Sequence, residues 1–105
     1  MSSSSFHYKL TPQALDDLDT IWRYSAETWS LEQADRYIDG LTKSFETIVA
    51  MPAMARERKE FDPPVRIQPQ EGHIIVYTIE DDHILIARVL GDSQNWQAIL
   101  NSIDS

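Results

Sequence analysis

The stretch GHIIVYTIEDDHILIARVLGDSQNW, residues 72–96, decides the fold. It holds two apolar runs, residues 73–80 and 83–90, on either side of Asp81-Asp82. β-Branched and aromatic side chains dominate both runs, and a short polar pair between them favours a reversal, so the segment is predicted to be a β-hairpin. With Asp81-Asp82 as the two-residue loop, Ile79 should oppose Ile84, Tyr77 should oppose Ile86 and Ile75 should oppose Arg88, all six on one face. Thr78, Leu85, Val76, Ala87, Ile74 and Val89 then share the other. Both faces are rich in apolar groups. One is expected to pack on helices, the other to be covered by the C-terminal helix or by a partner. Residues 91–94 read as the turn into a short last helix, about 95–103, whose apolar positions are Trp96, Ile99, Leu100 and Ile103.

Working outward from the hairpin, Phe6, Tyr8 and Leu10 alternate with His7 and Lys9, the pattern of a short half-buried strand. Thr11 is a suitable N-cap and Pro12 a suitable first helical residue. Leu15, Leu18, Ile21/Trp22 and Ser25/Ala26 follow at helical spacing, and Asp16, Asp17 and Asp19 lie near the end that the helix dipole makes positive. A helix is predicted over 12–28. Ser30-Leu31-Glu32-Gln33 is a capping box that starts a second helix. Its apolar stripe is Ala34, Tyr37/Ile38, Leu41, Phe45 and Ile48/Val49, and Pro52 ends it. Two helices with so short a connection form an antiparallel hairpin. Periodicity is lost over 53–64, which carries the one basic cluster, Arg56, Arg58 and Lys59. Pro63-Pro64 keeps the chain extended, and Val65-Arg66-Ile67-Gln68 reads as a strand closed by Pro69. The order β-α-α-β-β-β-α is an α+β fold, a helical hairpin packed on a small, mainly antiparallel sheet. Residues 1–5 are expected to be a disordered tail and residues 6–105 a single domain.

The 105 residues suffice for one core without staples, and the chain has no cysteine, which excludes disulfides and thiolate metal sites. Seventeen acids against nine bases give a formal net charge of −8, which disfavours unaided binding to nucleic acid. Residues 1–5 lack the basic and apolar regions of a secretion signal, and no apolar run approaches the ~20 residues of a membrane helix, so a cytoplasmic protein without membrane contact is expected. His7, His73 and His83 are scattered without ligand spacing. Glu80, Asp81 and Asp82 suit a solvated hairpin tip, and no metalloprotease, nucleophile-elbow or phosphate-loop signature occurs. No cofactor, metal or catalytic residue is therefore expected.

Two stretches in order, LTPQALDDLDTIWRYSAETWSLEQADRYIDGL and MPAMARERKEFDPPVRIQPQEGHIIVYTIEDDHILIARVLG, resemble the RelE/ParE superfamily of bacterial toxin–antitoxin toxins, the ParE branch more than the RelE branch. The resemblance covers about residues 8–100 and implies the same helical hairpin on an antiparallel sheet. It implies a toxin of a type II system of the plasmid-stabilising kind, encoded beside a ParD-like antitoxin that wraps it, with DNA gyrase as target. RelE-like enzymes, which cleave mRNA on the ribosome, carry basic groups on the sheet and near the C-terminus. Here the strand position often basic in them is Ile74, and GDSQNW has no Arg or Lys. Many ParE-like proteins read RVLH, a glycine and a basic residue, whereas here RVL runs directly into Gly91-Asp92-Ser93.

The resemblance thus implies a binding inhibitor rather than a nuclease. A ribosome-dependent mRNA endonuclease and a non-toxic antitoxin-binding scaffold are the alternatives. Arg56, Arg58, Lys59, Arg66 and Arg88 are the candidate target-binding residues. Trp22, Trp29, Tyr37, Ile75, Tyr77 and Ile86 are the candidate antitoxin contacts.

Overall fold

The computed structural model describes residues 6–103, so the tail expected over residues 1–5 lies outside the described residues. In chain order the elements are β1 (His7–Leu10), α1 (Pro12–Thr28), α2 (Leu31–Ala50), a 3₁₀ turn (Pro52–Met54), β2 (Glu57–Arg58), β3 (Val65–Gln70), β4 (His73–Ile79), β5 (His83–Gly91) and α3 (Trp96–Ile103). The strands form one sheet in the order β1-β5-β4-β3-β2. Three ladders are antiparallel, and β1 pairs with β5 in parallel. This is the expected α+β arrangement, with one strand the sequence pattern did not reveal. Two-residue β2 pairs Glu57 with Arg66 and Arg58 with Val65, turning part of the supposed loop into a sheet edge.

Both helix starts follow their capping chemistry. The Thr11 side chain accepts from the Ala14 N–H at 3.0 Å, and the Ser30 side chain accepts from the Gln33 N–H at 3.0 Å. The corner between them closes with the Trp29 N–H on the Ser25 carbonyl. The hairpin's inner face is Leu41, Phe45 and Ile48, fully buried, with Leu18 and Ile21 packed beside them. Leu15, read as part of the α1 stripe, is 56% exposed, and Ala14 is buried in its place. The true stripe runs Ala14, Leu18, Ile21, Ser25, one residue out of step with the start of the predicted one.

The β4–β5 hairpin pairs Ile79 with Ile84 and Tyr77 with Ile86, as read, and then departs. Val76 pairs with Arg88, which leaves Ala87 as an extra residue on β5, and Ile75 pairs with Val89 rather than Arg88. Such a bulge changes the side-chain parity beyond it. Val89 therefore joins Ile75, Tyr77, Ile84 and Ile86 beneath the helical hairpin instead of lying on the opposite face. That opposite face carries Ile74, Val76 and Leu90 with Val65 of β3, and it is covered by Leu100 of α3 together with Phe61. Of the two covers allowed by the sequence, the C-terminal helix is the one present. Strand β3 also runs on through Pro69, which pairs with Ile74 instead of ending the strand. β2 spans only the first two residues of β3, so at Pro69 no neighbouring strand needs the missing N–H.

Candidate functional site

The parallel ladder stops at Leu10–Ile86, and α1 takes over its unfinished work on β5. The Thr11 hydroxyl donates to the Ala87 carbonyl at 2.8 Å. One turn and a half further on, Asp17 accepts from the Val89 N–H at 2.9 Å. The same carboxylate holds the Arg88 guanidinium through two bonds, Nε to Oδ2 at 2.8 Å and Nη2 to Oδ1 at 2.9 Å. The side chains are only 13% and 20% exposed, so this is a largely desolvated bidentate pair. It stabilises the Arg88 charge and raises its already high pKa.

Beside this pair opens a cleft of about 710 Å³ between the helical hairpin, the ends of β4 and β5 and the approach to α3. Tyr24, Trp29 and Tyr37 line it, with Asp17, His73, Arg88 and Gln94. The turn after β5 is closed on itself, since the Gln94 side chain accepts from the Gly91 N–H at 2.7 Å. A Cβ at Gly91 would sit 3.2 Å from that same amide oxygen, so glycine suits the position. The Asp92 N–H donates to the Gly72 carbonyl at 2.9 Å, fixing this turn to the one before β4. That earlier turn has two residues, Glu71 (φ 40°) and Gly72 (φ 85°), both left-handed as a tight hairpin demands.

Tyr37 anchors α2 to the same turn. Its hydroxyl donates to the Glu71 carbonyl at 2.7 Å and also bonds His73 Nδ1. With the single phenolic proton on Glu71, Nδ1 must be the donor, which leaves Nε2 as an acceptor in the neutral imidazole. Burial pushes the His73 pKa below its ordinary value, against the opposite pull of Asp92 and Asp17. The phenol of Tyr37 is pushed up by burial and by the Glu71 and Asp92 charges. The folded state thus favours neutral His73, while the unfolded chain takes up the proton near pH 6.5. The resulting stability is present above pH 6.5 and is lost as the pH falls towards the depressed folded value. Urea midpoints at about pH 7.5 and 5.5 should therefore fall more for the wild type than for His73→Gln. Equal falls would remove His73 as a source of acid sensitivity.

The five candidate target-binding residues do not form one group. Arg56, Arg58, Lys59 and Arg66 gather at the β2–β3 edge, while Arg88 lies two strands away, committed to Asp17. Arg58 bonds Glu60 at 2.8 Å, and its guanidinium lies 6.0 Å from the Phe61 ring centre and 5.9 Å from that of Trp96. Arg66 donates to the Ala55 carbonyl at 2.6 Å. Arg56 and Lys59 are exposed. The candidate antitoxin contacts divide as well. Trp29 and Tyr37 line the cleft, while half-buried Trp22 donates from its indole to Asp35 at 2.8 Å, joining the two helices. Ile75, Tyr77 and Ile86 have no exposed surface, and the Tyr77 hydroxyl donates to the Pro52 carbonyl at 2.7 Å. They are core residues under the hairpin and offer nothing for a partner to touch in this state. Reading the hairpin face as apolar was right, but the chain's own helices cover it. Asp17, His73, Gly72 and Gln94 were not singled out for the site.

A helical hairpin seated on a small sheet, with a rimmed cleft where the two meet, is the arrangement that the resemblance to the RelE/ParE superfamily implied. The model of the ParE toxin of the type II toxin–antitoxin system parDE matches residues 8–96, and the chain belongs to that family. Toxin ParE1 of Caulobacter vibrioides is 33% identical over 93 residues, 89% of this chain and 96% of that protein. Toxin ParE1 of Mycobacterium tuberculosis is 28% identical over 87 residues, 82% of this chain and 89% of that protein. A solved structure described as the chromosomal ParDE TA system from P. aeruginosa shares the fold with a TM-score of 0.70 at 18% identity, covering 82% of this chain and 95% of its own. Among the described residues no helix is long and apolar enough to cross a membrane.

Proposed function

We propose that this chain is a ParE-type toxin that inhibits DNA gyrase and is held inactive in the cytoplasm by a ParD-like antitoxin. The observation that carries the reading is the family match across residues 8–96, which takes in the helical hairpin, all of the sheet but His7, and the start of α3. The antitoxin surface is the cleft with its rim, Trp29 and Tyr37, where apolar area is left uncovered. The target surface is the β2–β3 edge. Its cations are the clustered positive charge of a chain with net charge −8, so an anionic partner surface is met there. Two features favour an inhibitor over a nuclease. Ile74, at the strand position often basic in RelE-like enzymes, is buried under α3, and the turn over 91–94 carries no base to stabilise phosphate charge.

The test is a gyrase supercoiling assay with purified toxin, run beside mRNA cleavage on translating ribosomes. Arg58 is braced by Glu60 and by two rings, so the informative reversal is Arg56→Glu with Lys59→Glu, both exposed. It should weaken gyrase inhibition by about tenfold or more and leave the unfolding midpoint within about 0.5 kcal/mol of wild type. Wild-type protein that spares gyrase and cuts mRNA would replace this reading with the endonuclease. Protein that does neither and is harmless when expressed would leave an antitoxin-binding scaffold.

A further inference from the structure

The turn that joins α2 to β2 is held from beneath. The chain leaves α2 with the Met51 N–H on the Thr47 carbonyl at 2.9 Å, and the Met54 N–H closes the 3₁₀ turn on the Met51 carbonyl at 3.1 Å. Two sheet side chains then fix it. The Tyr77 hydroxyl of β4 donates to the Pro52 carbonyl at 2.7 Å, and Arg66 of β3 donates to the Ala55 carbonyl at 2.6 Å. Arg66 thereby positions the turn instead of reaching outward. The pinned turn displays its apolar side chains. Met51 and Met54 are 55% and 44% exposed, and Ala53 between them is exposed as well. Ala55 follows in an extended conformation and is buried, and this alternation puts exposed Arg56 on the same side as Met54. Lys59, just past β2, is exposed too. Among the described residues no salt bridge holds Arg56 or Lys59, whereas Arg58 is committed to Glu60.

Cations alone would suit any anion, but these stand beside exposed apolar side chains. A phosphate backbone would pair with Arg56 and Lys59 and leave both methionines in water, and a chain of net charge −8 repels a long polyanion. An anionic bilayer meets the same repulsion, and two cations on a short turn hold it weakly. An acidic protein segment with apolar residues between its carboxylates satisfies both parts. Methionine adapts its shape to such a partner, and a turn fixed in advance loses little freedom on binding. We propose that residues 51–59 are a docking surface for an acidic, apolar-containing segment of the target protein. Apolar side chains of that segment lie on Met51 and Met54, and its carboxylates pair with Arg56 and Lys59. The contact rests on the target-surface reading given above and names the chemistry that surface takes, a protein segment and not DNA.

The test follows the methionine methyl NMR signals of the intact chain. The probes are a short peptide of Glu and Leu, its counterpart of equal charge with Ser in place of Leu, a short DNA duplex and phosphatidylglycerol vesicles. The Glu/Leu peptide should move the Met51 and Met54 methyls saturably and bind at least about threefold tighter than the Glu/Ser peptide. Met51→Gln with Met54→Gln, both exposed and close in size, should erase that difference with the unfolding midpoint kept. Arg56→Glu with Lys59→Glu should abolish binding of both peptides. Equal affinities for the two peptides, or tighter binding to the duplex or the vesicles, overturn the docking surface. In parallel, gyrase supercoiling is assayed with wild type and the methionine double variant, and the variant should inhibit at least about tenfold less. If both inhibit equally, the docking surface is wrong and the gyrase reading stands. If the wild type spares gyrase, the gyrase reading fails, and the peptide titration alone decides the docking surface.

Discussion

Phe45→Ala should lower the stability of this chain by about 3–5 kcal/mol. Phe45 is 1% exposed and lies in the middle of the α2 stripe, between Leu41 and Ile48, over the inner face of the sheet. Its ring meets Tyr8 of β1 edge-on at 5.3 Å between centres. Truncation removes the ring's transfer free energy and leaves a cavity bounded by two helices and a sheet, which cannot all close on it. The total stability of a domain this size is about 5–15 kcal/mol, so the loss is a large fraction of the whole. Phe45→Leu fills most of the volume and should cost about 1–2 kcal/mol. Urea midpoints at constant slope measure both. A loss below about 1 kcal/mol for Phe45→Ala would mean that the hairpin is not packed on the sheet through this residue.

What made the fold legible was local chemistry that global packing had no reason to override. Thr11-Pro12, Ser30–Gln33 and Pro52 each bind or block specific backbone groups, and the helices start and stop where those groups require. The β4–β5 pairing was readable from its loop as far as Tyr77–Ile86. Beyond that it was not, because a bulge has no signature in the alternation of a strand that is apolar on both faces. The single slip at Ala87 moved Val89 under the helices and changed the partner of Arg88. β2 was invisible for another reason. Two residues, Glu57 and Arg58, carry no periodicity, and their pairing depends on where β3 happens to lie. The site was legible in its rim and in Arg88, but not in the partner that holds Arg88. Trp29 and Tyr37 stand out by type, but Asp17 is one of three acids within four positions. The signal that separates it is positional. It lies three residues after buried Ala14 and four before Ile21, so it alone of the three turns towards the sheet.

Removing that carboxylate is the second large perturbation expected. Asp17→Ala should cost about 2–3 kcal/mol, because it strands two groups at once. Arg88 keeps its charge in a position where its side chain is only 20% exposed, and the Val89 N–H loses its acceptor beyond the end of β1. The residual exposure of both partners keeps the figure below that of a fully buried pair. Asp17→Asn retains an acceptor for one donor and should lose less. Arg88→Met alone leaves the carboxylate bound to the Val89 N–H and should also lose less than Asp17→Ala. In the double variant Asp17→Ala with Arg88→Met no charge is left behind, and its loss should fall short of the sum of the singles by about 1 kcal/mol or more. Strict additivity would mean that the two side chains do not act as a pair.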